Sequence, residues 1–153
     1  MIALVPYDVR YLRKSLKWLN DPEIRELIDV HGDVNHEMQE KWFADISEDP
    51  TYQIWGVEQE GMPIGACGIK HIDYNKRKGE YWGYIGEKEY WGGKGHDLMH
   101  LVYEKASEFK LEELYLYVLK TNIRAQQLYV CEGFTVHNED NDKLCMHKTI
   151  NKS

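Results

Sequence analysis

Long apolar runs are missing from these 153 residues. No stretch approaches the ~20 consecutive apolar residues that a bilayer-spanning helix needs. The apolar start, Met1 to Val5, is cut short by Pro6 and Asp8, too soon for a secretory signal. Basic runs are scarce as well: the longest is Lys76-Arg77-Lys78, in a chain of formal net charge −7. Nucleic-acid binders carry a basic face, so neither a nucleic-acid nor a membrane partner is expected, and the triplet reads as a solvated turn between strands. Cysteine is limited to Cys67, Cys131 and Cys145. An odd count without metal-like spacing fits reduced thiols in the cytoplasm and no metal site. Proline occurs four times, and no Pro/Gly/Ser-rich linker or internal repeat divides the chain. Residues 1–153 are therefore expected to form one domain.

What is present suits a packed core. Hydrophobic residues make up 42% and charged residues 29%, ordinary values for a folded protein. Five Trp and eleven Tyr stand against three Phe, a balance that favours rings with one polar end, suited to both cores and ligand clefts.

Periodicity and punctuation give the elements. Met1 to Tyr7 reads as an edge strand. Tyr11, Leu12, Leu16 and Leu19 recur at helical spacing between Val9 and Asn20. Asp21-Pro22 restarts a short helix to Ile28, with Asp21 as N-cap and Pro22 at its first position. Val30 to Val34 is a polar loop. Asn35 caps another helix, with Met38, Trp42, Phe43 and Ile46 on one side. Strands Thr51–Gln59 and Pro63–Asp73 meet at a Glu60-Gly61 turn, and Gly79–Gly86 is the next strand. A helix from His96 to about Phe109 has Leu98, Leu101, Val102, Ala106 and Phe109 as its core face. Leu114–Leu119 is a strand, and Asn122–Cys131 is a helix ended by Gly133. Phe134–Val136 closes the chain with Lys143–Thr149. The order β-α-α-β-β-β-α-β-α-β-β describes an α/β (α+β) protein, a mixed sheet with helices on both faces.

Two segments carry chemistry. Trp91-Gly92-Gly93-Lys94-Gly95-His96 enters a helix. Its glycines admit a close ligand, and the helix's first N–H groups lack internal partners at the positive end of the dipole, which makes an anion site suited to a pyrophosphate. Such a turn is also often merely structural, and the Gly-Lys-Ser/Thr ending of a P-loop is missing. The second segment is Leu119-Lys120-Thr121-Asn122-Ile123-Arg124-Ala125-Gln126-Gln127-Leu128-Tyr129, followed by Gly133-Phe134: a strand ending in a polar Asn, then a helix with a Tyr two turns in.

The pairing of these segments resembles the GNAT acetyltransferases. That family's loop pattern is Gln/Arg-x-x-Gly-x-Gly/Ala; Gly93 and Gly95 match it, and Tyr90 stands where Gln or Arg is usual. The resemblance implies a largely antiparallel mixed sheet, acetyl-CoA as acetyl donor without a metal, and a small-molecule amine as acceptor. It further implies that the strand holding Tyr84 and Ile85 splays from Leu114–Leu119, and that peptide groups of Tyr84 and Ile85 bind the pantetheine arm. Gly93, Lys94, Gly95 and His96 would hold the pyrophosphate, and Asn122 would touch the pantetheine or simply cap its helix. Tyr129 matches the general acid: a phenol with pKa near ~10 stays protonated at neutral pH and can give its proton to a departing thiolate. Its plainer reading is a core tyrosine. Glu80, on one face with Trp82 and Tyr84, is the candidate general base, three residues before Gly83 where relatives often place it two before; a β-bulge would absorb the difference, or the side chain faces solvent. His96 and His100 read as solvent-facing and Cys131 as a small buried thiol.

The acceptor is less specified. Lys17-Trp18-Leu19-Asn20-Asp21-Pro22-Glu23-Ile24 resembles the Trp-x-Asn-x-x-x-Ile opening of members that acetylate nucleotide-linked amino sugars, with Leu19 where an Arg is frequent. Ribosomal-protein N-terminal and polyamine acetyltransferases open similarly. His31, Asp33 and His36 lie in the expected substrate loop, with Arg25 nearby. A non-catalytic acyl-CoA-binding module is the alternative from another class, and the sequence is compatible with a homodimer.

Overall fold

Helix starts are set by local chemistry. The computed structural model describes residues 1–28 and 34–150, and four of its five α-helices begin at a side-chain cap. Asp8 accepts from the Arg10 N–H to open α1 (Val9–Leu19), and Asp21 accepts from Glu23 to open α2 (Pro22–Leu27). Asn35 accepts from Met38 for α3 (His36–Ser47), and Asn122 from Ala125 for α5 (Ile123–Cys131). Only α4 (Lys94–Glu108) starts at a glycine, Gly93, with no side-chain cap. The three helices read from spacing and caps thus precede the second strand, one more than the order β-α-α-β counts, because Asp21-Pro22 ends one helix and starts another. His31, Asp33 and most of the Val30–Val34 loop lie outside the described residues.

The strands are β1 (Ile2–Pro6), β2 (Gln53–Gln59), β3 (Met62–Asp73), β4 (Lys78–Ile85), β5 (Glu113–Leu119), β6 (Thr135–Glu139) and β7 (Lys143–Thr149). They form one sheet in the order β1-β2-β3-β4-β5-β7-β6. Each neighbouring pair is antiparallel except β4 and β5, which are parallel. The expected turn between β3 and β4 is present: Asp73 accepts from the N–H groups of Asn75 and Lys76, and Arg77 pairs with Glu112 at 2.9 Å.

Alternation along β3 and β4 splits the core in two. Cys67, Ile69 and Tyr81 point to one face, where Leu98, Met99, Val102 and Ala106 of α4 pack with Leu114, Leu116, Phe134 and Met146. Ala66, Trp82 and Tyr84 point to the other, against Tyr11, Leu12 and Trp18 of α1 and Ile24 of α2. Met99 is fully buried and Leu101 only partly, so the inward stripe of α4 lies one position away from the expected one at that turn.

Gly86, just past β4, is where α1 seats on the sheet. A methyl group there would collide with the buried Trp18 ring, and that indole is further held by its Nε1–H donating to Glu87 Oε2 at 2.6 Å. Replacing Gly86 by Ala should destabilise the fold by roughly 1–3 kcal/mol through overpacking, read as a lowered midpoint in thermal denaturation.

Candidate active site

The parallel ladder between β4 and β5 is three residue pairs long: Lys78 with Glu113, Gly79 with Leu114, Glu80 with Tyr115. Beyond Glu80 the strands part. β5 keeps its antiparallel partner β7 along its whole length, and β4 keeps β3 up to Ile85, so the sheet splits into a V with its vertex at Glu80. A cavity of about 980 Å³ fills the V and opens to both faces. In an extended strand the peptide groups of alternate residues turn to opposite edges. Gly86 N–H donates to Ile64 on β3, and the Tyr84 carbonyl lies against Gly65 of β3. Alternation therefore turns the Gly83 and Ile85 peptide groups to the V. Of the two expected to meet a ligand, Ile85 faces the opening and Tyr84 faces β3. The Ile85 carbonyl already accepts from the Trp91 indole at 2.7 Å, which leaves its N–H.

At the wide end of the V lies the glycine loop. Gly93 has φ +91 and open space around it, a left-handed backbone that favours glycine. It turns the chain into α4 without a side chain over the first amides of Lys94, Gly95 and His96. Gly95 serves packing instead: a Cβ there would stand 2.8 Å from Leu128 of α5, so the start of α4 lies close against α5. That closeness brings in Arg124, whose Nη2 would be 3.2 Å from a Cβ on Gly92. Arg124 and Lys94 both line the cavity and give the uncapped helix end two cations. Tyr90, half-buried, packs on the core instead of reaching over the loop.

Tyr129 stands on the α4–α5 side. Its ring is edge-on to Tyr81 at 6.4 Å and tilted on Phe134 at 5.6 Å, and burial pushes its pKa up to about 12. The phenol is thus protonated throughout the neutral range. Tyr81, deeper still, is held well above the ordinary phenol range, again by burial.

Glu80 stands on the opposite side. Its side chain is 12% exposed; His71 Nδ1 lies 2.9 Å from Oε1 and Lys70 Nζ 3.9 Å from Oε2. The register of β4 is unbroken from Glu80 to Ile85, and the irregularity falls on β3 between Lys70 and Asp73. The bulge expected between Glu80 and Gly83 is therefore absent, the irregularity lying on the other strand, and the carboxylate faces the cavity all the same. Above it Trp42, Tyr52 and Trp82 meet edge to edge, with centroids 6.3–6.5 Å apart.

Helix α2 bridges the open end of the V. Lys88, after β4, pairs with Asp21 at 2.8 Å and Glu23 at 2.9 Å. Asn122, after β5, donates from Nδ2 to the Leu27 carbonyl at 2.9 Å while its Oδ1 caps α5 at 3.1 Å. Both ends of the Asn122 amide are thus engaged within the protein. His96 and His100 are exposed, yet they converge on the nearly buried Glu132, at 2.5 Å and 3.5 Å, and Tyr103 O–H donates to it at 3.0 Å. Burial alone would raise the Glu132 pKa; the His96 and Tyr103 hydrogen bonds and the two imidazoles outweigh it and leave the pKa lowered. Cys131 is exposed, not buried, because α5 buries no residue fully. Among the described residues no group of three or more His, Cys, Asp or Glu could hold a metal ion, and no helix is long and apolar enough to cross a membrane.

Sequence reasoning passed over Arg124, Trp91, His71 and the Trp42–Tyr52–Trp82 set. Arg124 had a signal, a cation in the first turn after the Asn122 cap. The others depend on which strands and helices meet.

Residues 2–135 match the family model described as Acetyltransferase (GNAT) domain. The chain is 28% identical over 136 residues to Acetyltransferase PseH of Campylobacter jejuni, across 87% of this chain and 83% of that protein. Among solved structures it is similar to spermidine N-acetyltransferase from Vibrio cholerae in complex with CoA and spermine, with TM-score 0.88 and 19% identity over 97% of this chain and 95% of the other. It is also similar to Campylobacter jejuni N-acetyltransferase PseH in complex with acetyl coenzyme A, with TM-score 0.77 and 22% identity over 99% and 100%. At these identities the structural likeness is one of fold.

The bridge across the V can be tested apart from any ligand. Asn122→Ala removes both the cap and the tie to Leu27 and should cost about 1–2 kcal/mol, whereas Asn122→Ser keeps a capping oxygen and should cost less. Urea denaturation of the two variants measures the difference.

Proposed function

The chain belongs to the GNAT acetyltransferase family, and from that premise we propose that it transfers acetyl from acetyl-CoA to a primary amine. Transfer is direct, within a ternary complex and without an acyl-enzyme. The observation that carries this reading is the arrangement around the V: an uncapped helix start at the wide end, a carboxylate at the vertex on one face and a protonated phenol on the other.

Each residue then has a task. The N–H groups of Lys94, Gly95 and His96, turned outward by Gly93, hold the pyrophosphate, with charge from Lys94 and Arg124. Peptide groups of Gly83 and Ile85 take the pantetheine arm as a further strand would, which satisfies backbone polar groups that β5 leaves unpaired, and an N–H there polarises the thioester carbonyl. Asn122 sets the start of α5. Glu80 accepts protons from the incoming ammonium, which must lose two on its way to an amide. As the C–N bond forms and the C–S bond breaks, Tyr129 gives one proton to the sulfur and recovers one from water. The balance is one proton released per turnover.

The acceptor we favour is a nucleotide-linked amino sugar. Among the described cavity-lining residues Glu80 is the one carboxylate, and Lys70 and Lys143 are the lysines that line it besides Lys94, which with Arg124 meets the pyrophosphate. A polyamine carries several cations and needs several carboxylates; an amine attached to a phosphate-bearing group is met better by one carboxylate among lysines. The Trp18-to-Ile24 opening supports the same class, and the aromatic set above Glu80 offers a face for a sugar ring.

Tyr129→Phe should lower kcat by roughly 10²-fold while acetyl-CoA affinity by calorimetry stays within about twofold; unchanged turnover would remove the acid role. For the acceptor, nucleotide amino sugars, polyamines and peptide N-termini can be compared by free-thiol release. Turnover should be confined to the first group, and its absence there would overturn the choice.

A further inference from the structure

The ladder between β3 and β4 runs without a slip from Gly65–Ile85 to Lys70–Glu80, and the next pair is Asp73–Lys78. Three steps on β3 answer two on β4, so β3 carries one extra residue beside Glu80. The extra residue is marked by His71, at φ +53, a left-handed backbone that residues other than glycine seldom adopt. The insertion changes what faces where. Ile69 and Ile72 are both in the core, at 0% and 4% exposure, although strict alternation would set them on opposite faces. Lys70 and His71, consecutive in sequence, both reach Glu80.

These two neighbours are not equivalent. Lys70 Nζ is 3.9 Å from Oε2, beyond hydrogen-bond reach. His71 Nδ1 is 2.9 Å from Oε1, at full hydrogen-bond geometry, while two-thirds of the His71 side chain remains in water. A carboxylate oxygen this poorly hydrated needs a hydrogen-bond donor and is oriented by it, and a base works only when its free oxygen stands within about 3 Å of the proton it takes.

We propose that His71 is a positioning residue for acetyl transfer: its Nδ1–H holds Oε1 of Glu80 at the vertex of the V and leaves Oε2 to the amine. The bulge supplies that donor, because without the extra residue alternation would place position 71 on the other face. The assignment rests on Glu80 being the base.

Two substitutions isolate the donor from the backbone. His71→Asn accepts a left-handed backbone and keeps an N–H where Nδ1 stands, whereas His71→Gly accepts the backbone and has no donor. With a nucleotide amino sugar, or whichever amine proves to be turned over, His71→Gly should lower kcat about 10-fold with the KM for acetyl-CoA unchanged, and His71→Asn should stay within about threefold of the parent. Glu80→Gln, measured alongside, should lose roughly 10²-fold or more. If Glu80→Gln turns over normally, the base reading fails and His71 falls with it. If Glu80→Gln is impaired but His71→Gly is not, Glu80 stands and the His71 assignment is wrong. Equal losses in the Asn and Gly variants would overturn it too, since the donor would then not be the cause.

Discussion

Three parallel pairs and no more join β4 to β5. The chain could have zipped these strands further; instead β5 commits its other edge to β7 over seven pairs and α2 bridges the far ends. A ladder that stops early leaves strand edges without partners inside the protein, an expensive state for backbone amides unless something pairs with them. The V is therefore both a structural defect of the sheet and the place where one cavity is lined by residues of both its faces. The candidate site residues are placed relative to it: the uncapped start of α4 and Arg124 at its mouth, Glu80 at its vertex, Tyr129 against one wall.

The split core follows the same constraint. Because β3 and β4 alternate, one face collects α4 and α5 and the other collects α1 to α3. Tyr129 and Glu80, the acid and base we propose, are carried on opposite faces and so kept from pairing with each other, yet both line the cavity. Burial holds the Tyr129 proton in place, and the contact with His71 holds the Glu80 carboxylate. The bridge through α2 couples the two halves of the sheet at the point where hydrogen bonding between β4 and β5 has ended. Its contacts are a clasp of Lys88 with Asp21 and Glu23 on one side and the Asn122 amide on the other. Exposed ion pairs contribute little individually, so the tie to the Leu27 carbonyl carries more of that coupling than the lysine does.

What the sequence by itself determined is what short-range chemistry determines. The caps at Asp21, Asn35 and Asn122, the turn at Glu60-Gly61 and the stop at Gly133 all depend on atoms within a few residues of one another, and each stands where the chain foretold it, whereas the glycine-led helix expected from His96 starts two residues earlier, at Lys94. The family pattern of Gly93, Gly95, Asn122 and Tyr129 was legible for the same reason. Only the tertiary structure decided the rest. Which peptide groups face the V depends on strand register, and a shift of one residue reverses every side chain, so Tyr84 and Ile85 could not be told apart in advance. The extra residue at His71 goes with the burial of both Ile69 and Ile72 in one core cluster, which residues distant in sequence build. The meeting of His96 and His100 with Glu132 joins positions more than thirty residues apart. Contacts of this kind are set by burial summed over the whole molecule, and no local rule encodes them.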